Sequence, residues 1–294
     1  MEQVSQNYSF GGVLRKYKIA SSKALGGLAS QFNVFLPQSA LEHSTKVPVV
    51  YYLAGLTCNE DTGAQKGGFL RDASEHGIAL VFPDTSPRGA GVEGEDKDWD
   101  FGTGAGFYLD ATSDAYSKHY NMYDFIVNEL PTHLAQLPLD LKRSSIMGHS
   151  MGGHGALTLY LKNPELYRSA SAFAPIANPT QAPWGEKAFG GYLKGGIEDG
   201  KRYDATELLG QVNTDTKDHL KILVDVGTGD QFYNQKQLLL ENFLKARDAA
   251  GLTEDQVRVN LHDNYDHSYW FISTFGPSHI KFHADILNAL PGSQ

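Results

Sequence analysis

A glycine-flanked serine between an apolar strand and a helix restricts the fold of this sequence more than any other feature. The short apolar run Ser145–Met147 predicts a strand, Met151–Lys162 predicts a helix, and Gly148-His-Ser-Met-Gly-Gly153 joins them. A G-x-S-x-G turn needs small flanking residues, because the strand and the helix pass close together there. The pattern predicts a sharp, strained turn that lifts the Ser150 hydroxyl clear of a sheet.

Apolar runs and helical periodicity alternate along the rest of the chain. An antiparallel strand pair is predicted first, at Gly12–Ile19 and Gln31–Leu36. Further strands are predicted at Val47–Ala54, Ile78–Phe82, Arg168–Phe173, Lys221–Val226 and Val257–Leu261, and helices at about 64–76, Tyr120–Leu137, Leu238–Ala249 and Ser268–Leu290. This alternation predicts an α/β fold with a mostly parallel central sheet, antiparallel N-terminal strands and helices on both faces. Because no repeat or Pro/Ser-rich linker interrupts it, we expect residues 1–294 to form a single domain.

Two long segments, residues 84–119 and 174–215, fit neither a strand nor a helix. Both follow predicted strands, so both are expected at the carboxyl edge of the sheet, where ligands bind in such folds. Long loops in α/β domains usually serve function, and both of these are rich in aromatic residues. The alternative is that they are packing excursions that fill the edge of the sheet.

Charge and cysteine content exclude several classes of function. The formal net charge is −9 and no Lys/Arg cluster is present, which disfavours nucleic acid and anionic membranes as partners and leaves a small-molecule substrate. The single cysteine, Cys58, excludes an intrachain disulfide and a cysteine-rich metal site. The sequence shows neither a secretory signal nor an apolar stretch of membrane-spanning length. We therefore expect a cytoplasmic protein.

A serine nucleophile needs a general base, and His267 is the candidate. It lies in the loop just after the predicted strand Val257–Leu261, at the carboxyl edge of the sheet. The alternative is a loop histidine that caps the following helix. The other histidines after Ser150 are placed less well, inside helices, at the opposite edge or within the strand: His154, His219, His262, His279 and His283.

The base needs an orienting acid, and Asp230 is the candidate. It lies in the glycine-rich loop Gly227-Thr-Gly-Asp230, at the carboxyl end of the predicted strand Lys221–Val226. From that loop a carboxylate can reach a histidine on the next loop. The alternative is an Asx-turn or a helix cap. The competing acids are Asp204, Asp225, Asp263 and Asp266, of which Asp225 lies inside the strand.

An oxyanion formed on the substrate needs two N–H donors. The candidates are the N–H of Met151, directly after the serine, and the N–H of Leu56, in the loop after the strand Val47–Ala54. Cys58 lies in the same loop. It is expected either to line the site as a neutral thiol or to be a small buried apolar residue.

Seven segments, spread through nearly the whole chain, together resemble the S-formylglutathione hydrolase family, also called esterase D, which has the α/β-hydrolase fold. The segments are Tyr52-Leu-Ala-Gly-Leu-Thr-Cys58, Val81-Phe-Pro-Asp-Thr-Ser-Pro-Arg-Gly89, Trp99-Asp-Phe-Gly-Thr-Gly-Ala-Gly-Phe-Tyr-Leu109, Gly148–Gly153, Ser171-Ala-Phe-Ala-Pro-Ile176, Pro183-Trp-Gly-Glu-Lys-Ala-Phe189 and Asp266-His-Ser-Tyr-Trp-Phe-Ile-Ser-Thr-Phe275. The sequence departs from the family at Ala54, where serine is common, and at Trp270, where tyrosine is common.

The resemblance implies hydrolysis of S-formylglutathione in formaldehyde detoxification, side activity on small esters, and no metal or organic cofactor. The family's nucleophile, acid and base fall on Ser150, Asp230 and His267, and its oxyanion donors fall on Leu56 and Met151. Two aromatic segments, around Trp99 and around Trp184, are expected to wall a narrow acyl pocket, with ordinary core packing as the alternative. Arg88 and Lys187 are candidates to bind the carboxylates of glutathione. The family often forms homodimers, although no segment here marks an interface.

Two rival functions remain open at this point. A general short-chain carboxylesterase or acetyl esterase would use the same three residues, because a triad does not distinguish a thioester from an oxyester. A catalytically silent α/β-hydrolase that acts as a binding protein is disfavoured by the complete set Ser150, Asp230 and His267. A dehalogenase of haloalkanes is excluded, because that chemistry needs a carboxylate at position 150.

Overall fold

The structure is a computed structural model that describes residues 1–42 and 46–292, and its centre is a β-sheet. The strands within these ranges are β1 (Glu2–Ser9), β2 (Gly12–Ile19), β3 (Ser30–Leu36), β4 (Val47–Leu53), β5 (Ala79–Pro83), β6 (Leu139–His149), β7 (Ala170–Phe173), β8 (Ile222–Gly227) and β9 (Val257–His262). They pair in the order β1-β2-β3-β5-β4-β6-β7-β8-β9. The pairs from β5 through β9 are parallel, and those that join β1, β2, β3 and β5 are antiparallel. The predicted fold class is confirmed.

Helices cover both faces of this sheet. Those within the described ranges are α1 (Gln38–Glu42), α2 (Glu60–Lys66), α3 (Leu70–Glu75), α4 (Met122–Asp124), α5 (Leu130–Leu134), α6 (Met151–Lys162), α7 (Pro183–Tyr192), α8 (Gly196–Gly200), α9 (Ala205–Gly210), α10 (Thr214–Lys217), α11 (Gln231–Asn234), α12 (Leu240–Ala249) and α13 (Tyr269–Asn288). On β7, Ala172 faces Gly153 of α6, whereas Ser171 bonds to two histidines of α13. Because successive strand residues point to opposite faces, α6 and α13 lie on opposite sides of the sheet. No helix in the described ranges has the length and apolar content that crossing a membrane requires.

The structure differs from the sequence prediction at the N-terminus and in the helices. Strand β1 was not predicted, because Glu2–Ser9 is polar and almost entirely exposed, so it carries no apolar pattern. The helix predicted at about 64–76 is two helices, α2 and α3, separated at Gly67–Phe69. The helix predicted at Tyr120–Leu137 is α4 and α5 joined by a π-helical turn at Phe125–Glu129.

The segment 174–215, predicted without regular structure, contains α7, α8, α9 and part of α10, with one 3₁₀ turn before α7 and another between α8 and α9. The segment 84–119 contains neither a strand nor a helix, in agreement with the prediction. Both segments leave the carboxyl end of a strand, β5 or β7. The loops after β4, β6, β8 and β9 leave the same edge, because these strands are all parallel. This edge therefore gathers the candidate residues from distant parts of the chain.

Candidate active site

The serine of the glycine-rich turn has a strained backbone. Ser150 lies between the end of β6 and the start of α6, with φ 57° and ψ −116°. A positive φ is costly for a residue with a side chain, and it persists only where the surrounding structure imposes it. Here the Ser150 N–H donates to the carbonyl of Phe173 at 2.9 Å, and the Ser150 carbonyl accepts from the N–H of His154 at 2.9 Å. Strand β7 and the first turn of α6 thus hold the predicted sharp turn in place.

The glycines around Ser150 are required by close backbone packing. A Cβ on Gly148 would lie 2.1 Å from the carbonyl oxygen of Gly152, and a Cβ on Gly152 would lie 1.9 Å from that of Leu53. Neither position can accept a side chain, which confirms that strand and helix pass close together there. A Cβ on Gly55 would lie 3.2 Å from Cβ of Ser150. The loop after β4 therefore lies directly against the serine.

His267 and Asp230 form a buried hydrogen-bonded pair. Nδ1 of His267 lies 2.5 Å from Oδ2 of Asp230, and Asp230 is fully buried. A carboxylate only accepts, so the proton of this bond is on Nδ1 and Nε2 keeps its lone pair. The other oxygen of Asp230 accepts from the N–H groups of Phe232 and Tyr233, at 2.7 and 3.3 Å, and so caps α11. Asp230 therefore both caps a helix and contacts His267, so the two interpretations of this residue do not exclude each other.

The ring of His267 packs against the residue that precedes the serine. Its centroid lies 4.5 Å from that of His149 and 4.8 Å from that of Phe232. His149 is buried, and burial together with the nearby His267 holds the pKa of His149 well below its usual value. His149 is thus a neutral ring at neutral pH. These contacts bring the loop after β9 against the turn that holds Ser150.

The other candidate histidines are engaged elsewhere. His154 is buried, and its Nε2 lies 3.0 Å from the carbonyl oxygen of Phe107, at hydrogen-bond distance. Burial lowers the pKa of His154 to about 4. His219 is exposed, and His262 stacks on Phe275 with ring centroids 3.7 Å apart. His279 lies inside α13 and is fully buried. None of these four occupies the position that His267 holds.

A second arrangement of serine, histidine and aspartate lies inside the molecule. Ser171 Oγ is 2.8 Å from Nδ1 of His279, whose Nε2 is 3.2 Å from Oδ2 of Asp225. Asp225 also accepts from the side-chain amide of Asn260 at 2.7 Å. Ser171 and His279 are fully buried and Asp225 is 2% exposed, so no substrate can reach this group. It is a structural network beneath α13, and the carboxylate rejected from the sequence, Asp225, belongs to it.

The two proposed oxyanion donors lie on either side of the serine. Leu56 follows Gly55 in the loop that packs against Ser150, and Met151 is the first residue of α6. Neither backbone N–H has a hydrogen-bond acceptor within residues 1–42 and 46–292. The loop itself is fixed, because the Thr57 N–H donates to the Gly104 carbonyl at 3.0 Å. Two N–H groups close to one hydroxyl can stabilise negative charge that develops there.

Cys58 lies in the same loop, two residues after Leu56. Its side chain is half-buried, and its thiol is within hydrogen-bonding reach of Thr62 and Tyr269. Burial raises the pKa of the Cys58 thiol, which keeps it protonated at neutral pH. Both expectations for this residue, a neutral thiol near the site and a small packed residue, are compatible with this environment.

The two predicted pocket tryptophans meet each other beside His267. Trp99 and Trp184 make an edge contact with ring centroids 5.8 Å apart. Trp184 in turn lies 4.7 Å from Phe232, the residue that packs on His267. Trp184 is 6% exposed and Trp99 is 56% exposed. The long segments 84–119 and 174–215 therefore meet near the site in an aromatic cluster that consists of Trp99, Trp184 and Phe232.

The two cations considered for glutathione already have carboxylate partners. Arg88 donates to both carboxylate oxygens of Asp84, at 3.0 and 2.7 Å, and to the carbonyl of Cys58 at 2.9 Å. Lys187 pairs with Asp98 at 3.0 Å and also with Asp100. Arg88 thus anchors the loop that carries Leu56 and Cys58. Neither side chain presents an unpaired positive charge to a ligand.

Three residues near the site were missed as site residues in the sequence analysis. His149 and Phe232 pack against His267, and Tyr269 lies 5.8 Å from His149 between ring centroids. His149 and Tyr269 belong to the family-like segments quoted above, so their position in these segments was the available signal. Phe232 carried no such signal. No group of three or more His, Cys, Asp or Glu side chains in the described ranges is arranged to hold a metal ion.

Comparisons with known proteins show the family to which this chain belongs. A family model described as "Putative esterase" matches residues 22–283. S-formylglutathione hydrolase from Rattus norvegicus is 46% identical over 98% of this chain and 99% of its own length, and the one from Arabidopsis thaliana is 46% identical over 98% of each.

Solved structures give the same result. An S-formylglutathione hydrolase from Agrobacterium tumefaciens superimposes with a TM-score of 0.89 at 43% identity, covering 98% of this chain and 100% of that one. A ferulic acid esterase matches at a TM-score of 0.70 and 19% identity, over 95% of this chain and 100% of its own, which shows a shared fold alone. Because full-length relatives match far above 30% identity, this chain belongs to the S-formylglutathione hydrolase family of esterases.

Proposed function

We propose that this chain hydrolyses S-formylglutathione to glutathione and formate, with side activity on small carboxylic esters. The observation that carries the proposal is its 45–47% identity, over 98% of the chain, to relatives named S-formylglutathione hydrolase. This reaction would be the hydrolytic step of glutathione-dependent formaldehyde detoxification. Glutathione is the reducing thiol of the cytoplasm, and a chain with one cysteine forms no intrachain disulfide, so we place the activity in that compartment.

In the proposed acylation, Ser150 Oγ attacks the formyl carbon of the thioester. His267 Nε2 accepts the hydroxyl proton, and Asp230, hydrogen-bonded to Nδ1, stabilises the imidazolium that results. The C–S bond then breaks, and the departing sulfur takes the proton from His267. Glutathione leaves as the thiol, and the formyl group remains on Ser150.

In the proposed deacylation, a water molecule takes the place of glutathione. His267 accepts a proton from this water as its oxygen attacks the formyl carbon, and the proton then returns to Ser150 Oγ as formate leaves. In both steps the carbonyl oxygen becomes negatively charged. The N–H groups of Leu56 and Met151, which lack acceptors within the described ranges, would bind that oxygen, and the N-terminus of α6 adds a favourable potential.

The alternative is a general short-chain esterase that uses the same residues without a preference for the thioester. The family model that spans residues 22–283 is described as an esterase, and this description fits a general esterase as well as a thioester hydrolase. The aromatic cluster around Trp184 would limit the length of the acyl group in either function. The two functions differ in the leaving group that is recognised, not in the acyl-transfer chemistry.

Steady-state kinetics on S-formylglutathione and on 4-nitrophenyl acetate tests the proposal, with Ser150→Ala as the control. We expect kcat/KM to be higher for the thioester by orders of magnitude and both activities to be lost in Ser150→Ala. Equal or lower kcat/KM for the thioester would contradict the substrate assignment and leave the general esterase. Undiminished activity of Ser150→Ala would contradict the assignment of the nucleophile.

A further inference from the structure

We propose that the cavity formed by Lys66, Tyr269, Trp270 and Ser273 binds the glutathionyl part of the substrate, with Lys66 paired to a carboxylate and Trp270 packed on the peptide. The inference rests on the proposed function and assigns the recognition of the leaving group. The cavity lies where the end of α2 meets the start of α13, and its volume is about 500 Å³. This size is typical of pockets for small ligands.

Tyr269, which lines the cavity, places it next to the residues that pack on His267. The ring centroid of Tyr269 lies 5.8 Å from that of His149, which packs directly on His267. The hydroxyl of Tyr269 lies 3.1 Å from that of Tyr52, and it approaches the thiol of Cys58. Tyr269 thus separates the cavity from the loop that precedes α2. A leaving group that departs from the formyl carbon past Tyr269 would enter the cavity.

The side chain of Trp270 is largely exposed to solvent and contributes little to the packing of the core. Its side chain is 82% exposed, whereas the next residue, Phe271, is fully buried. The other tryptophans are covered further, with Trp99 at 56% and Trp184 at 6% exposure. A large indole at the mouth of a cavity beside a reactive site offers a flat apolar face to a ligand. The peptide planes of glutathione can pack on such a face.

Lys66 supplies the positive charge that Arg88 and Lys187 do not. Its ammonium is exposed and forms no ion pair with any carboxylate in the described ranges. It lies close enough to Cys58 for its charge to oppose the rise in the pKa of the thiol that burial causes. Glutathione carries two carboxylates and one ammonium at neutral pH. The N-terminus of α13, a helix of 20 residues, adds to the positive potential in this cavity.

A second cavity near the same loop fits glutathione less well. It has a volume of about 370 Å³ and contains the carboxylates Glu60 and Asp84. Glu60 pairs with Lys16 at 3.0 Å, and Asp84 pairs with Arg88 at 2.7 Å. The lining also includes the cations Lys18 and Arg88, so two positive and two negative side chains leave this cavity with no net charge. A ligand with a net negative charge therefore gains more in the cavity of Lys66 and Trp270.

The first test compares Lys66→Ala with Lys142→Ala, an exposed lysine at the start of β6 on the opposite edge of the sheet. For Lys66→Ala we expect KM for S-formylglutathione to rise about tenfold, the value of one charge-assisted hydrogen bond, with kcat nearly unchanged. Lys66→Arg should restore most of the loss, and Lys142→Ala should leave KM unchanged. Trp270→Ala should raise the same KM about threefold through lost contact area.

The second test removes the carboxylates from the ligand instead of the lysine. In the dimethyl ester of S-formylglutathione both carboxylates are blocked, so wild type should show a raised KM and Lys66→Ala should add no further rise. S-methylglutathione should inhibit hydrolysis of 4-nitrophenyl acetate competitively, with a Ki about tenfold higher for Lys66→Ala.

These measurements separate the two proposals. A wild type that does not hydrolyse S-formylglutathione contradicts the proposed function, and inhibition by S-methylglutathione still tests the cavity. A wild type that hydrolyses the thioester while Lys66→Ala keeps its KM and Ki contradicts the cavity assignment alone. Absence of inhibition of wild type by S-methylglutathione contradicts it as well.

Discussion

Asp230 serves two neighbours with its two carboxylate oxygens. Oδ2 contacts Nδ1 of His267, and Oδ1 accepts the N–H groups of Phe232 and Tyr233. The cap fixes the carboxylate, and the fixed carboxylate fixes the imidazole. Asp225, five positions earlier on β8, has a similar burial and bonds instead to Asn260 and His279. Strand β8 therefore carries a carboxylate inside the fold, and the loop that follows it carries the one at the site.

This difference gives a prediction for matched asparagine variants. Asp230→Asn keeps an oxygen for the helix cap and presents an NH₂ donor to His267, which shifts the imidazole proton to Nε2 and removes the base. For both S-formylglutathione and 4-nitrophenyl acetate, we expect kcat to fall about 10³- to 10⁴-fold. Asp225→Asn should lower the melting temperature while the folded enzyme keeps its kcat. Similar losses of kcat in both variants would show that the effect of Asp230 is structural.

At the scale of elements, the junction of β6 and α6 tolerates no side chain at Gly148. A Cβ there would meet the backbone oxygen of Gly152 at 2.1 Å, and backbone cannot move aside cheaply. Gly148→Ala should therefore destabilise the fold by about 3 kcal/mol or more. Gly190, exposed in α7, has no atom within 4 Å of its would-be Cβ, so Gly190→Ala should stabilise by about 0.5–1 kcal/mol. Urea denaturation measures both, and a Gly148→Ala variant as stable as wild type would contradict the close approach.

The aromatic cluster of Trp99, Trp184 and Phe232 connects three separate segments of the chain to His267. Trp184 lies between Trp99 and Phe232, and Phe232 packs on the catalytic candidate His267. Trp184→Ala should open space there and raise the ratio of kcat/KM for 4-nitrophenyl butyrate over the acetate, by about tenfold for two added methylenes. Trp99→Ala, on the more exposed ring, should shift this ratio less. An unchanged ratio in Trp184→Ala would place Trp184 outside the acyl pocket.

Sequence patterns predicted the elements that carry apolar periodicity and the residues that carry chemistry. Strands β2, β8 and β9 and helix α6 agree with the predictions to within a residue or two, because apolar runs and a glycine turn leave clear local patterns. Strand β1 is exposed and polar, so only its pairing with β2 defines it. The π-helical turn between α4 and α5 is followed closely by Pro131, which cannot donate a helical hydrogen bond, and apolar periodicity does not report this local effect.

Site residues could be predicted from the sequence where the chemistry needs one residue type. They could not be predicted where only tertiary packing places a side chain at the site. Ser150, Asp230 and His267 follow from strand ends and chain order. Phe232 and the exposed Trp270 acquire their position from the meeting of distant loops. For the same reason Arg88, chosen for its charge, has a carboxylate partner that the sequence did not reveal.

At the scale of the whole molecule, the interior holds an unusual number of neutral histidines. His149, His154, His279 and His283 are all buried, and burial lowers the pKa of each below 6.5, to about 4 for His154. His283 lies 2.8 Å from the hydroxyls of both Ser169 and Ser171. In the unfolded chain these imidazoles regain their ordinary pKa. Between their folded pKa values and about pH 6.5, these four groups therefore bind more protons in the unfolded state than in the folded state.

The sign of this linkage predicts acid sensitivity. The contribution of the four histidines is complete above pH 6.5 and is lost as the pH falls towards their folded pKa values, at up to about 1.4 kcal/mol per pH unit for each group. Urea denaturation between pH 8 and pH 4.5 should show a steep fall in the free energy of unfolding. His283→Gln, which keeps an amide between Ser169 and Ser171 and cannot titrate, should be less stable at pH 8 yet lose stability less steeply on acidification. A flat profile for wild type, or the same slope in His283→Gln, would mean that these rings do not couple folding to protons.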